Sequence, residues 1–142
     1  MKNKEAFEVS VILPVMQEDL YRHWISSTEH TNFTGSPAKI DPEINGSFSA
    51  WDGYITGKNI SMEPFRRIVQ SWRTTEFSDE DEDSKLEVLF EAKADQTKLT
   101  LRHANIPDGQ GNNYKDGWRE YYFEPMLEYY SSKGNKKQRT DR

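Results

Sequence analysis

A chain of 142 residues is long enough for one domain that buries about two-thirds of the surface its unfolded form exposes. Its net charge of −5 leaves no basic face of the kind phosphate binding needs, so nucleic acid is not expected as a partner. The absence of cysteine excludes disulfides, thiolate metal sites and cysteine nucleophiles, and no run approaches the ~20 apolar residues of a membrane span. The start, Met1-Lys2-Asn3-Lys4-Glu5, has basic residues without an apolar stretch behind them, so no signal peptide is expected. A cytoplasmic chain without membrane association is the expectation from these features. Aromatics at 13% within a hydrophobic total of 34% mean a core of few, large side chains, suited to a broad cavity or a thick sheet–helix layer.

Phe7, Val9, Val11 and Leu13 alternate with Glu8, Ser10 and Ile12, which predicts a first strand stopped by Pro14. From Gln17 to Ser26 the period changes: Leu20, Tyr21, Trp24 and Ile25 form one face of a helix, with Glu18 and Asp19 in its first turn. A short second helix is expected from Thr28 to Phe33, ended by Gly35 and Pro37. A meander of strands follows, over 36–41, 46–51, 54–62, 66–77, 85–94 and 97–106, with Asp52-Gly53 as a tight-hairpin signal. The acidic run Asp79-Glu80-Asp81-Glu82-Asp83 lacks the turn glycine and interleaving of a calcium loop and reads as a solvated, mobile hairpin loop. No metal or cofactor is expected. Asp108-Gly109-Gln110-Gly111-Asn112 is glycine-rich but lacks a phosphate-binding lysine, and reads as a flexible loop ahead of a helix.

That helix is expected from Asn113, with Asp116 completing a capping box, to a glycine stop at Gly134. At helical spacing Trp118, Tyr121, Tyr122, Pro125, Met126 and Tyr129 share one face. Pro125 in the interior removes the hydrogen bond to the Tyr121 carbonyl, at roughly 3 kcal/mol in an ordinary helix. Packing must therefore overdetermine this helix, which makes it the central element. Residues 1–132 then form the domain, and 133–142, with five positive charges and one negative, a disordered basic tail. An antiparallel sheet with the long helix across its concave face is the expected α+β solution.

Catalysis finds little support in the residues. The three histidines, His23, His30 and His103, have no metal-ligand spacing, and His23 and His30 read as surface residues. His103 shares its strand parity with Leu99 and Leu101, which places an imidazole on the inner surface. A structural histidine, satisfied by a backbone carbonyl or by the hydroxyl of Tyr121 or Tyr122, is the first reading there, and ligand contact the second. Ile68, Gln70, Trp72 and Thr74 alternate with Arg67, Val69, Ser71 and Arg73, and neither parity is purely apolar; structural packing is the first reading for Trp72, which on the concave side would narrow a cavity with Gln70 as a polar handle. Leu86, Val88 and Phe90 form an apolar wall, and Phe48 and Met62 contribute from the earlier hairpin.

Several words recur in an informative order: Phe33-Thr34-Gly35-Ser36-Pro37-Ala38, Gly46-Ser47-Phe48, Asp52-Gly53-Tyr54-Ile55-Thr56-Gly57, Glu63-Pro64, Ile68-Val69-Gln70-Ser71-Trp72-Arg73, Leu99-Thr100-Leu101-Arg102-His103, Ile106-Pro107, and Gly117-Trp118 through Pro125. Over about residues 6–130 the chain resembles the family named for the C-terminal domain of the activator of heat-shock protein 90 ATPase, within the START-like (SRPBCC) superfamily. The resemblance implies a helix-grip fold: a curved antiparallel sheet of about seven strands around a long C-terminal helix, with two short helices after strand one. It also implies a cavity for a hydrophobic or aromatic small molecule, lined by Phe48, Met62, Gln70, Trp72, Val88, Phe90, Leu101, His103, Trp118, Tyr121 and Tyr122. The separate N-terminal domain of the eukaryotic activators is not in this sequence. Non-catalytic ligand binding is therefore the first functional expectation, docking on a heat-shock protein 90 relative the second, and a polyketide-cyclase-like enzyme the third.

Overall fold

In the computed structural model, which describes residues 4–140 with side chains as far as Ser132, seven strands form one antiparallel curved sheet in the order β1-β7-β6-β5-β4-β3-β2. The strands are β1 (Glu5–Leu13), β2 (Lys39–Ile40), β3 (Ser47–Ala50), β4 (Ile55–Glu63), β5 (Arg67–Thr74), β6 (Ser84–Lys93) and β7 (Gln96–Ile106). Strands β2 to β7 follow the chain as a meander, and β1 closes onto β7 at the far edge. Helices α1 (Gln17–Trp24) and α2 (Ser27–Thr34) carry the chain from one edge of the sheet to the other. The final helical run comprises α3 (Gly111–Trp118), a wide π turn over Arg119–Phe123, and α4 (Glu124–Thr140).

Period-2 patterning decides which face is covered. Leu13, Ile68, Trp72, Leu86, Val88, Phe90, Leu99 and Leu101 all point to the helices and are essentially sealed from water. The opposite face is polar and carries an ion ladder across five strands: Glu63 to Arg67, Arg67 to Glu87 (2.5 Å), Glu87 to Arg102 (3.7 Å) and Arg102 to Glu8 (2.8 Å). Such pairs are largely solvated, so they fix register more than they stabilise. Gly57 shows why a strand interior carries a glycine: a Cβ there would collide with the Ser71 carbonyl and the Phe48 ring. Gly35 ends α2 in the left-handed conformation, φ 80°, with its N–H on the Thr31 carbonyl (2.8 Å).

The long helix departs from the expected pattern in three respects. It starts at Gly111 and has no Asn113–Asp116 capping box; Gln110, the residue before it, gives no side-chain cap. The cap comes instead from β1. The Glu5 carboxylate accepts the N–H groups of Gly109 (3.0 Å) and Gly111 (2.7 Å), so the glycine-rich loop is tied down rather than free. Its backbone runs on through Gly134 to Thr140, continuous with the segment expected as a separate tail; the side chains of 133–142 lie outside the described residues, and with them the expected disorder.

The third departure is the buried face. Tyr114, Trp118, Tyr122, Met126 and Tyr130 are buried, a strict spacing of four, and Phe123 joins them. In a uniform helix such a series drifts by about 40° per step. The π turn, closed by the Glu124 N–H on the Arg119 carbonyl five residues back, holds more residues per turn and brings the series back onto the sheet. It lies directly before Pro125, where the regular ladder is interrupted. Tyr121 is rotated outward by the same turn and is 54% exposed, against its expected place on the inner face.

The acidic loop is solvent-facing as expected, but Arg73 organises it. Its guanidinium donates to the carbonyls of Ser78 (2.9 Å) and Asp81 (3.2 Å) and to the Asp83 carboxylate (2.7 Å). Among the described residues no cluster of acidic and histidine side chains is arranged to hold a metal ion.

The Glu5 cap gives a direct test. The Gly109 and then the Gly111 N–H hold its carboxyl below the ordinary carboxylate range. A lowered folded-state value contributes stability above the unfolded value, and that contribution is lost as the pH falls through the folded one. In Glu5→Gln, amide exchange at Gly109 and Gly111 near neutral pH is expected to speed up by about tenfold, the scale of a lost charge-assisted hydrogen bond. Unchanged exchange would show that the loop is held by something else.

Candidate functional site

A cleft of about 620 Å³ opens between the β3–β4 turn and β5 on one side and α3 with the π turn on the other. Its walls are aromatic: Trp51 and Trp72 from the sheet side, Tyr114, Trp118, Tyr121 and Tyr122 from the helix. Three carboxylates, Glu76, Asp116 and Glu120, also line it, with no lysine, arginine or histidine among the described lining residues.

Trp51 reaches the wall through an unusual turn. Where a two-residue hairpin at Asp52-Gly53 is expected, Ala50 pairs with Ile55 across a four-residue connection. Trp51, Asp52 and Gly53 have φ values of 53°, 56° and 89°, three left-handed residues in succession. For a residue as bulky as tryptophan this costs about 1–3 kcal/mol. It turns the indole away from strand parity and against Tyr121, ring edge to ring face, with centroids 5.4 Å apart. The indole N–H of Trp51 is buried and, among the described residues, is the one buried side-chain nitrogen or oxygen without a hydrogen-bond partner. At the mouth the Tyr54 hydroxyl donates to the Glu76 carboxylate; burial first, then this bond, pushes the phenol up to about 12.

Of the expected lining residues, Trp72, Trp118, Tyr121 and Tyr122 meet in the cleft. Phe48 and Gln70 lie on a separate void of only about 10 Å³ deeper in the fold, too small for more than one water. Gln70 is not free to serve as a polar handle: its amide donates to Asn59 Oδ1 (2.9 Å), and Asn59 in turn donates to the carbonyls of Asp41 and Glu43. Val88, Phe90 and Leu101 are core, and Met62 packs partly buried against it; none of the four lines either space among the described residues.

His103 is also away from the cleft, and its surroundings fix its state. The Trp118 indole can only donate, so His103 Nδ1 accepts from it (3.1 Å). Nε2 then carries the proton and donates to Ser84 Oγ (2.8 Å), whose hydroxyl passes on to the Trp72 carbonyl (2.7 Å). The chain is complete only with a neutral imidazole, and burial pushes the group down to about 3. Its partners are thus Ser84 and Trp118, not the Tyr121 or Tyr122 hydroxyl. His30, expected at the surface, is 4% exposed. Its Nδ1–H donates to the Trp24 carbonyl (2.9 Å), and Nε2 accepts the Tyr122 hydroxyl (2.8 Å). Burial lowers it to about 4, with the Trp24 bond acting in the other direction. Covering this histidine is the work of the aromatic layer of Trp24, Phe33 and Tyr122. His23 is half-buried and bonds the Tyr130 hydroxyl (2.8 Å).

Trp51, Tyr54, Glu76 and Tyr114 were not among the expected site residues. Tyr114 was legible, since it stands one step of four before Trp118; Trp51 was not, because strand alternation points it outward.

With this geometry in hand, comparison with known proteins identifies the lineage. The profile of the family described as Activator of Hsp90 ATPase homolog 1-like protein matches residues 14–130. The chain belongs to that family. It is 29% identical over 107 residues to the human protein described as activator of 90 kDa heat shock protein ATPase homolog 1, covering 75% of this chain and 31% of that one. The chain thus spans about a third of the length of that relative and of its mouse counterpart. Among solved structures, an HSP90 activator from Plasmodium falciparum superposes with a TM-score of 0.77 at 28% identity, over 84% of this chain and 91% of that one. CalU16 from Micromonospora echinospora superposes with a TM-score of 0.74 over 96% of this chain and 88% of that one. At 16% identity, that likeness concerns the fold alone. These matches agree with the helix-grip architecture, and no helix among the described residues is long and apolar enough to cross a membrane.

Proposed function

We propose that this domain binds a small aromatic or otherwise apolar molecule in the cleft between sheet and C-terminal helix, in the cytoplasm, without chemical turnover. The supporting observation is the cleft itself: its volume falls in the range of small-molecule sites, and its walls are mostly aromatic, with Glu76, Asn113, Asp116 and Glu120 among them. The chemistry around it favours holding over reacting. His30 and His103 are neutral and committed to internal bonds, and the Tyr54 phenol keeps its proton near neutral pH. Titration with a fluorescent hydrophobic probe is expected to saturate, with quenching of tryptophan emission, and to weaken by about tenfold or more in Trp72→Ala, which removes an aromatic wall. A native protein that binds no apolar probe would remove this reading.

A second reading rests on a different observation. The Plasmodium falciparum chain described as an HSP90 activator is matched over 91% of its length, so a single domain of this kind carries that description. On this reading the domain docks on a heat-shock protein 90 relative and raises its ATPase rate. Turnover of the cognate chaperone, with and without micromolar domain, separates the two readings. A several-fold rise with no probe binding would favour the chaperone role; probe binding with an unchanged rate would favour the ligand role.

A further inference from the structure

Four places in the chain set an asparagine or aspartate before glycine: Asn45-Gly46, Asp52-Gly53, Asp108-Gly109 and Asp116-Gly117. In such a pair the glycine nitrogen can attack the side-chain Cγ and close a five-membered succinimide ring, because no Cβ on the second residue stands in the way. The reaction needs a free glycine N–H and a turn able to bend. In three of the four pairs the N–H is engaged. Gly46 is buried and donates to the Glu43 carbonyl (2.9 Å), while the Asn45 N–H donates to the Asn59 carbonyl (2.7 Å). Gly109 donates to the Glu5 carboxylate (3.0 Å), and Gly117 lies inside α3 with its N–H in the helix ladder. Gly53 differs. Among the described residues its N–H has no acceptor, and the Asp52 carboxyl has neither a hydrogen bond nor an ion pair. Both residues are exposed, and the space around Gly53 is open. The same turn is strained, with Trp51, Asp52 and Gly53 left-handed in succession. A connection with one more main-chain atom does not need that conformation.

We infer that Asp52 is a site of spontaneous covalent modification, converted to isoaspartate in the folded protein, and that the conversion releases Trp51 from its place against Tyr121. The atoms balance with water as the only other reactant. The Gly53 nitrogen bonds to Cγ of the protonated Asp52 carboxyl, whose hydroxyl leaves with the amide proton as water. Water then adds to the Asp52 main-chain carbonyl carbon and breaks its bond to the Gly53 nitrogen. The chain now runs through Cβ and Cγ, one atom longer. The former main-chain carbonyl has become a carboxylate, so the charge is unchanged. The longer turn relaxes its left-handed residues and lets the Trp51 indole leave the Tyr121 ring, now 5.4 Å away between centroids. What the cleft holds has no bearing on this chemistry.

Asp52→Asn places two Asn-Gly pairs in one molecule, alike in chemistry and different in structure. Asparagine tolerates the left-handed region, so the turn is kept. Peptide mapping by mass spectrometry over weeks near neutral pH is expected to show the amide at position 52 lost at least about tenfold faster than that of Asn45, the scale of one hydrogen bond that must open first. In urea the two rates should converge. Equal rates in the folded variant would overturn the inference. In the wild-type chain, isoaspartate is read from its diagnostic fragments in electron-transfer dissociation. It is expected at Asp52 before Asp108 or Asp116, and no more slowly than in urea. Earlier appearance at either of the other two, or a folded rate below the unfolded one, would also overturn the assignment. The effect on Trp51 has its own readout. In the converted wild-type fraction the Trp51 indole N–H resonance should move while that of Trp24 stays. An unmoved Trp51 would show that the turn keeps its shape, which overturns the release of the indole and leaves the modification standing.

Discussion

Trp118→Ala is expected to destabilise the fold by about 3–5 kcal/mol, the scale of buried aromatic truncations. Trp118 is 3% exposed and lies within ring contact of Trp72, Tyr122 and His103, so its removal opens the seam between helix and sheet. It also leaves His103 Nδ1 without its donor in a site that is otherwise closed. For a chain of this size the midpoint of thermal unfolding should fall by roughly 10 °C. Trp118→Phe separates the two contributions, since it retains much of the packing and loses only the indole donor. A loss below about 1 kcal/mol in the alanine variant would mean that the aromatic series does not hold the helix on the sheet.

Mild acid is expected to have an effect of similar size, through His30 and His103. Both are buried neutral, with folded-state values lowered to about 4 and about 3, while an unfolded histidine titrates near 6.5. Between those values the unfolded chain binds more protons than the folded one, so stability rises with pH across the window and is lost on acidification. From pH 7 to pH 5 the loss is roughly 2 kcal/mol for each histidine, about 4 kcal/mol together. The imidazoles differ in what protonation does. A proton on His103 Nδ1 would face the Trp118 N–H, donor against donor, whereas one on His30 Nε2 would meet a hydroxyl that can rotate to accept. Urea midpoints at pH 7 and pH 5 are the measurement, with His103→Gln expected to flatten the slope by about half. A protein equally stable at both values would show that neither imidazole is held neutral.

The fold was legible because two simple periods carried it. Alternation marked the inward residues of β1, β6 and β7, and the aromatic run after Gly117 marked the helix they face. What escaped notice lay where local rules give way to tertiary contact. No pattern near Asn113 reveals that the cap is Glu5, more than a hundred residues earlier. Tyr121 left its expected inner place, and Phe123 is buried, because the π turn inserts extra residues that a period of 3.6 does not anticipate. His30 read as polar surface, since its partners, the Trp24 carbonyl and the Tyr122 hydroxyl, come from separate elements. The candidate site was partly legible for a related reason. Trp72, Trp118 and Tyr122 follow from periodicity, whereas Trp51 enters the cleft only through a left-handed turn that strand alternation cannot express.

The sequence contains four tryptophans, Trp24, Trp51, Trp72 and Trp118, and three of them line the cleft. Their indole N–H resonances, assigned by single Trp→Phe variants and followed by ¹⁵N-correlated NMR during titration with 9-fluorenone, test ligand binding at this position most directly. Occupancy of the cleft predicts saturable shifts for Trp51, Trp72 and Trp118, and the smallest for Trp24 beyond the far wall. Four indole resonances that stay in place, or a Trp24 that moves more than Trp51, would contradict it.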